Sequence, residues 1–232
     1  MIGIFDSGVG GICAFKQVRE LLPNEDIIYL ADRRNAPYGT KTPYEILRFT
    51  ENNIKKLKSC GAEQILIACC TASSLYERLP PWAREISLPI IRPAAIKAAE
   101  AGQNIAVIAT RHTCKIKAFK SEIEKISFAK VFEFAEQELV TLVEMGNRDG
   151  RIDRECEEYL AHMAERVRAT RADTLILGCT HFSHLECEIQ GLLPEIKIIS
   201  PAKVGAMEIV KKINSQNQEN GKTRYISPSV KD

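Results

Sequence analysis

The chain has 232 residues, of which 45% are hydrophobic and 27% charged, enough for one large or two small globular domains. Its 32 basic and 30 acidic residues nearly cancel, so the charge does not point to nucleic acid or an anionic membrane as partner. No apolar run is long enough to cross a bilayer, and no signal peptide is expected, because Ile2–Phe5 reads as a strand with Asp6 directly after it.

In chain order, strand Ile2–Phe5 leads into a glycine-rich turn, Asp6-Ser7-Gly8-Val9-Gly10-Gly11, and a helix from Ile12 to Leu22 that Pro23-Asn24 breaks. A second strand, Ile27–Leu30, ends near Asp32. Next comes a polar loop holding Arg33-Arg34 and Pro37-Tyr38-Gly39, then a long helix from Pro43 to about Ser59. Strand Gln64–Ala68 runs into Cys69-Cys70-Thr71, and a helix is expected from Ala72 to Leu79, stopped by Pro80-Pro81. Pro89–Ile91 reads as a short strand and Pro93–Ala101 as a helix.

The pattern then restarts. Strands are expected at Ile105–Ile108, Ala129–Phe134, Thr174–Leu177, Ile196–Ile199 and Arg224–Ile226. Helices are expected over 115–126, 138–145 (ended by Gly146-Asn147), 153–170, 184–192 and 201–213, with a polar loop over Asn214–Thr223. Strand starts fall near residues 2, 27 and 64 in one half and near 105, 130 and 174 in the other, and in both halves the third strand delivers a Cys-containing turn. We read two similar α/β domains related by duplication, with a hinge near Ile91–Pro93. The domains span 1–92 and 93–205, and the C-terminal segment 206–232 packs back on the first.

The chemistry-bearing features are Cys69 and Cys179, each closing an apolar strand. A Cys in that position is ordinarily a small core residue; its repetition in matching contexts argues for two thiols at one site, since carboxyl ends of parallel strands are where such sheets place ligands. Two thiols on opposing domains fit inversion of a stereocentre: one thiolate removes a proton from one face of a carbon and the other thiol returns one to the opposite face. A single thiol with a His base would instead suit a hydrolase. Asp6 and His181 stand where they could assist Cys69 and Cys179. Ser7, Thr71, Thr180 and the backbone of Tyr38-Gly39 could hold a carboxylate and an ammonium, helped by helix N-termini after Cys70 and Thr180. Gly8, Gly10 and Asp32 come close to a dinucleotide fingerprint, but Cys13 takes the third glycine's place. Cys69, Cys70, Cys179 and His181 match no usual zinc spacing, and no metal is expected. The eight cysteines show no CxxC, which suits a reducing cytosol. Cys13, Cys60, Cys114, Cys156 and Cys187 read as packing residues, His112, His162 and His184 as belonging to no constellation, and Arg33-Arg34 as a solvated loop.

Four motifs, Gly3–Gly11, Ala36–Lys41, Ala68–Ser73 and Leu177–His181, agree in order and spacing with the cofactor-independent glutamate racemases of the aspartate/glutamate racemase superfamily, which the chain resembles over essentially its whole length. The resemblance implies two pseudo-symmetric flavodoxin-like α/β domains, each a mainly parallel sheet flanked by helices, with the active site between them. It implies Cys69 and Cys179 as the acid–base pair, without pyridoxal phosphate or metal, and assistance from Asp6 and His181, with Glu144 as an acidic group near the second thiol. It also implies substrate contacts from Asp6, Ser7, Tyr38, Gly39, Cys70, Thr71, Thr180 and His181. The product would be D-glutamate for peptidoglycan, made in the cytoplasm, with a homodimer as the assembly. Departures from the family are Cys70, where the family has Asn, a more basic Asp32–Asn35 loop, and Arg92 in place of an acid. These leave open a changed acidic substrate, such as aspartate, or a noncatalytic small-ligand binding relative. Adjacent Cys69 and Cys70 lead us to expect easy oxidative inactivation.

Overall fold

The computed structural model describes residues 1–146, 153–213 and 221–227. The first half opens with strand β1 (Ile2–Asp6), helix α1 (Ile12–Leu21), β2 (Ile27–Ala31), a 3-10 turn at Tyr38–Thr40 and α2 (Pro43–Ser59). It continues with β3 (Gln64–Ile67), α3 (Cys70–Ser73), α4 (Pro81–Glu85) and β4 (Ser87–Pro89), and α5 (Ile91–Ala101) leads into the second half. There the chain forms β5 (Asn104–Ala109), α6 (Arg111–Lys115), α7 (Ala118–Glu124), β6 (Lys130–Ala135), α8 (Gln137–Gly146) and α9 (Arg154–Ala169). Next come β7 (Thr174–Gly178), a 3-10 stretch at Thr180–Leu185, α10 (Glu186–Leu192), β8 (Lys197–Ile199), α11 (Pro201–Val210) and β9 (Thr223–Ile226).

Two parallel sheets result, one of five strands in the order β4-β3-β1-β2-β9 and one of four in the order β6-β5-β7-β8. Setting β9 aside, the two orders are the same, with β1, β2, β3 and β4 matching β5, β6, β7 and β8. The chain is therefore an α/β protein of two pseudo-symmetric flavodoxin-like units. Alternate side chains of each strand enter different cores. Ile2, Ile4, Leu66, Ile105, Val107 and Ile176 fill one apolar cluster that runs from one sheet to the other. Phe5, Ile65 and Ile67 fill the outer face of the first sheet, and Ala106, Leu175 and Leu177 that of the second. Burial on both faces is why these strands read as continuous apolar runs. β9 adds itself to the free edge of β2, Ile27 facing Thr223 and Leu30 facing Ile226.

Several expected elements differ. The helix expected at Ala72–Leu79 is instead the four-residue α3 and a 3-10 turn, because Ser73 Oγ donates to the Ile67 carbonyl and Ser74 Oγ to that of Thr71. Such side-chain bonds compete with helical ones. Pro81 starts α4 as well as ending what precedes it. The strand expected at Pro89–Ile91 lies earlier, and residues 91–93 form the first turn of α5. The helix expected over 115–126 is split by Lys117, whose φ of 51° is left-handed. The helix expected from His184 begins at Glu186, after the 3-10 stretch. Asn147 and residues 214–220 of the expected polar loop lie outside the described residues.

Candidate active site

In both sheets the chain turns outward in opposite directions from the first strand, which makes the carboxyl ends of β1 and β3, and of β5 and β7, topological switch points. Phe5 faces Ile67, and the Ala68 amide donates to the Phe5 carbonyl at 2.8 Å, so Cys69 lies one residue beyond the pair Asp6–Ala68. In the second half Ala109 faces Gly178 and Cys179 lies one residue beyond. Register alone thus makes Cys69 and Cys179 equivalent, along with Ser7 and Thr110, Cys70 and Thr180, and Thr71 and His181. The ends meet. Ser7, Tyr38, Gly39, Cys69, Cys70, Thr71, Cys179, Thr180 and His181 line one cavity, with Pro37, Thr110, Gln137 and Val140 completing it.

The halves are stitched together across this cavity. Asp6 is fully buried; its Oδ1 accepts the Gly8 amide at 2.7 Å and its Oδ2 the Thr180 hydroxyl at 3.0 Å. Thr71 and Thr110 share a hydroxyl bond of 3.1 Å. Gly10 lies so close to the second half that a Cβ there would stand 2.5 Å from Thr180 Oγ1, and one at Gly39 would stand 2.5 Å from Gln137 Oε1. The glycine turn therefore serves close approach to the second domain. Asp32, the acid of the near-dinucleotide pattern, is already used by Tyr38 Oη at 2.6 Å and by Asn35 and Asn53. The Tyr38 hydroxyl is accordingly engaged, donating to Asp32 and accepting from Asn53. The cavity measures about 20 Å³, room for about one water. A larger groove of about 630 Å³ lies elsewhere, along α5 and α11, and no cysteine lines it.

The two thiols have different surroundings. Cys69 donates to Ser7 Oγ at 3.4 Å, and its burial, reinforced by the nearby Asp6 charge, pushes its pKa up to about 12. Asp6 makes its own bonds to Gly8 and Thr180, not to Cys69. Cys179 Sγ stands 3.6 Å from His181 Nδ1, and His181 Nε2 stands 3.0 Å from Glu144 Oε1. Burial alone would lower the His181 pKa, but its bonds to Cys179 and Glu144 outweigh that and raise it well above the ordinary 6.5. The His181 bond in turn holds Glu144 below the usual carboxylate range, with a further contribution from the Arg33 charge. Arg33 is exposed, as its loop reads in the sequence, and its charge reaches Glu144.

Cys70 is buried, and burial together with Cys179 and Cys69 raises its pKa well above 9.0. Both Cys69 and Cys70 are nearly inaccessible in this closed form, and reactivity tracks exposed thiolate, so the oxidation expected of them requires their exposure first. Helix N-termini also contribute less than expected, since α3 has four residues and Thr180 opens a 3-10 stretch. Cys187 is exposed instead of packed. His184 meets Cys13 at 3.8 Å, and His112 is buried with Nε2 unpartnered among the described residues. No group of three or more His, Cys, Asp or Glu residues among those described is arranged to hold a metal ion.

Three wall residues, Thr110, Gln137 and Val140, carry no motif that marks them in the sequence. Thr110 was available from the duplication, as the mate of Ser7. Gln137 and Val140 precede Glu144 on α8 by seven and four residues, the spacing of one helix face.

The chain matches the model of the Asp/Glu/hydantoin racemase family over residues 13–209. It is 37% identical over 215 residues to a glutamate racemase of Gloeobacter violaceus, covering 90% of this chain and 79% of the relative. Its fold superposes on the crystal structure of a glutamate racemase isoform from Bacillus anthracis with a TM-score of 0.81 at 29% identity, covering 99% of this chain and 88% of that one. A glutamate racemase from Francisella tularensis, crystallised with D-glutamate, gives 0.81 at 26% identity over 99% of this chain and 89% of that one.

Proposed function

The chain belongs to the Asp/Glu/hydantoin racemase family, and on that footing we propose that it interconverts L- and D-glutamate by moving a proton at Cα between two thiols. The observation that carries this reading is the delivery of Cys69 and Cys179, from equivalent strand ends of two duplicated units, onto one cavity. Binding alone does not require two thiols, and a thiol hydrolase requires one.

The Cys69 thiolate takes the Cα proton, the electron pair stays on Cα beside the carboxylate, and the Cys179 S–H gives its proton to the opposite face. The reverse direction exchanges the roles. His181, bridged to Glu144, holds and returns the proton on the Cys179 side. Asp6 fixes the Gly8 turn against Thr180 and makes the Cys69 side anionic, so the substrate ammonium is the charge that favours thiolate there. Ser7, Thr71, Thr180 and the amides near Tyr38-Gly39 hold the carboxylates, with Cys70 as an apolar wall. A cavity of about 20 Å³ does not admit an amino acid, so the halves separate for entry. The separating units are taken as 1–92 with 206–232, and 93–205. Nothing in this chemistry calls for a cofactor. The cytoplasm, peptidoglycan supply and a homodimer belong to the same proposal.

Proton NMR in deuterated buffer tests it: L-glutamate should lose its α signal and yield D-glutamate, and Cys69→Ser or Cys179→Ser should each abolish conversion. Exchange with aspartate alone would keep the mechanism and change the substrate. Absence of exchange with any amino acid would sink the racemase reading in favour of a binding protein.

A further inference from the structure

We propose that Gln137 is a substrate-contact residue, its Nε2 donating to a carboxylate of the bound acidic amino acid and so setting affinity and substrate order. This rests on the racemase reading above. A dicarboxylic amino acid brings four carboxylate oxygens, and its affinity depends on donors that meet them. Such donors are few in this cavity. Among the described residues, its wall has neither Lys nor Arg. In this closed form its threonine hydroxyls bond within the protein, Thr180 donating to Asp6 and Thr71, Thr110 and Thr113 bonding in series, while Ser7 accepts from Cys69 and keeps its own hydroxyl hydrogen. Cys70 offers one weak donor.

Gln137 differs from all of these. It is the only carboxamide on the wall among the described residues, and it is half-buried. The Arg111 amide donates to its Oε1 at 3.4 Å, which assigns the oxygen to that side and leaves Nε2 on the other. Nε2 carries two N–H groups with no hydrogen-bond partner among the described residues. The residue is also held in place. Its neighbour Glu136 is buried and clamped by Tyr159 Oη at 2.5 Å and Arg166 Nη2 at 2.8 Å, which pins the chain where α8 begins. Gly39, packed against Oε1, restricts the side chain from the first half. Gln137, Val140 and Glu144 share one face of α8, so the helix that carries the His181 partner also presents this amide.

The test is Cα exchange with glutamate and aspartate for wild type, Gln137→Ala, Gln137→Glu and a Glu138→Gln control on the exposed face. Losing a hydrogen bond to a charged group corresponds to about 10- to 100-fold in affinity, so Gln137→Ala should raise KM for glutamate by about that factor with kcat much less affected. Gln137→Glu should raise it further by setting a carboxylate against the substrate's. Cys70→Asn, which offers an amide from the opposite wall, should recover part of the loss in the Gln137→Ala background. A structural defect would lower kcat and the melting temperature together and would not be rescued. Unchanged KM and unchanged substrate order in an active Gln137→Ala protein would overturn the proposal and leave the racemase reading standing. An inactive wild type would remove both.

Discussion

The glycine at position 10 gives the sharpest test of how the two halves meet. A methyl group there would stand 2.5 Å from Thr180 Oγ1, 2.8 Å from the His181 backbone nitrogen and 2.9 Å from the Thr180 carbonyl carbon. Two of these atoms are backbone and cannot rotate away, so Gly10→Ala must push the Thr180–His181 turn outward by a substantial part of an ångström. Overpacking of this kind costs about 1–3 kcal/mol, and for a chain of this size each kcal/mol lowers the melting temperature by about 2–4 °C. The functional cost is larger. The same turn carries the Thr180 bond to Asp6 and the His181 bond to Cys179, and a misplacement of about 1 Å can cost on the order of 100-fold in rate. We expect kcat/KM to fall by about that factor while the protein stays folded. Gly191→Ala is the matched control: no atom lies within 4 Å of its Cβ site on α10, and replacing a helical glycine should stabilise by about 0.5–1 kcal/mol. If Gly10→Ala kept wild-type melting and exchange rates, the close packing of the glycine turn on the second half would be wrong.

Two further outcomes are expected. Glu144→Gln removes an anion that holds His181 charged, so the His181 pKa should fall; NMR titration of the imidazole would show it, and the high-pH limb of activity should move to lower pH. The same linkage sets a stability term: because the folded pKa of His181 is raised, its contribution is complete below 6.5 and disappears as pH rises through the folded value, and Glu144→Gln should make that loss begin earlier. Glu133 has the same sign at lower pH, for a different reason. Its Oε1 is buried without a partner among the described residues, and burial raises its pKa from 4.5 to about 6, so stability declines as pH climbs between those values. Glu133→Gln should therefore raise the melting point at neutral pH by a few degrees, on the order of 1 kcal/mol once solvent screening of this half-buried group is allowed for, and leave it unchanged below pH ~4.5. Equal melting gains at both pH values would contradict this.

The strands were legible because parallel strands buried on both faces become short apolar runs, as Ile65–Ile67 and Leu175–Leu177 do. The duplication was legible because it repeats those runs with a thiol after each. The segment after Cys69 was not. Ser73 and Ser74 turn their hydroxyls onto nearby carbonyls, a local choice that the helical spacing of Ala72–Leu79 does not reveal. The burial of Cys69 and Cys70 was not legible for a different reason, since their neighbourhood is built by tertiary closure. Gln137 was invisible because it lies in no motif and is placed through Glu136, whose clamp comes from α9 residues far along the chain.

The duplication was kept where the proposed reaction is symmetric and lost around it. The thiols are equivalent, yet Asp6 is matched by Ala109, Thr71 by His181 and Cys70 by Thr180, so each thiol has its own proton-handling group. Enantiomers have equal free energies in an achiral solvent, so no arrangement of residues can bias the equilibrium. The ratio of kcat/KM for the two directions is fixed at unity, and asymmetry can appear only in how each direction divides that value between kcat and KM. Changing Glu144 or Asp6 must then lower kcat/KM for both enantiomers alike, even though one residue borders the Cys179 side and the other the Cys69 side, while the two kcat values shift independently. This is how a duplicated scaffold can tolerate unlike halves around two equivalent thiols.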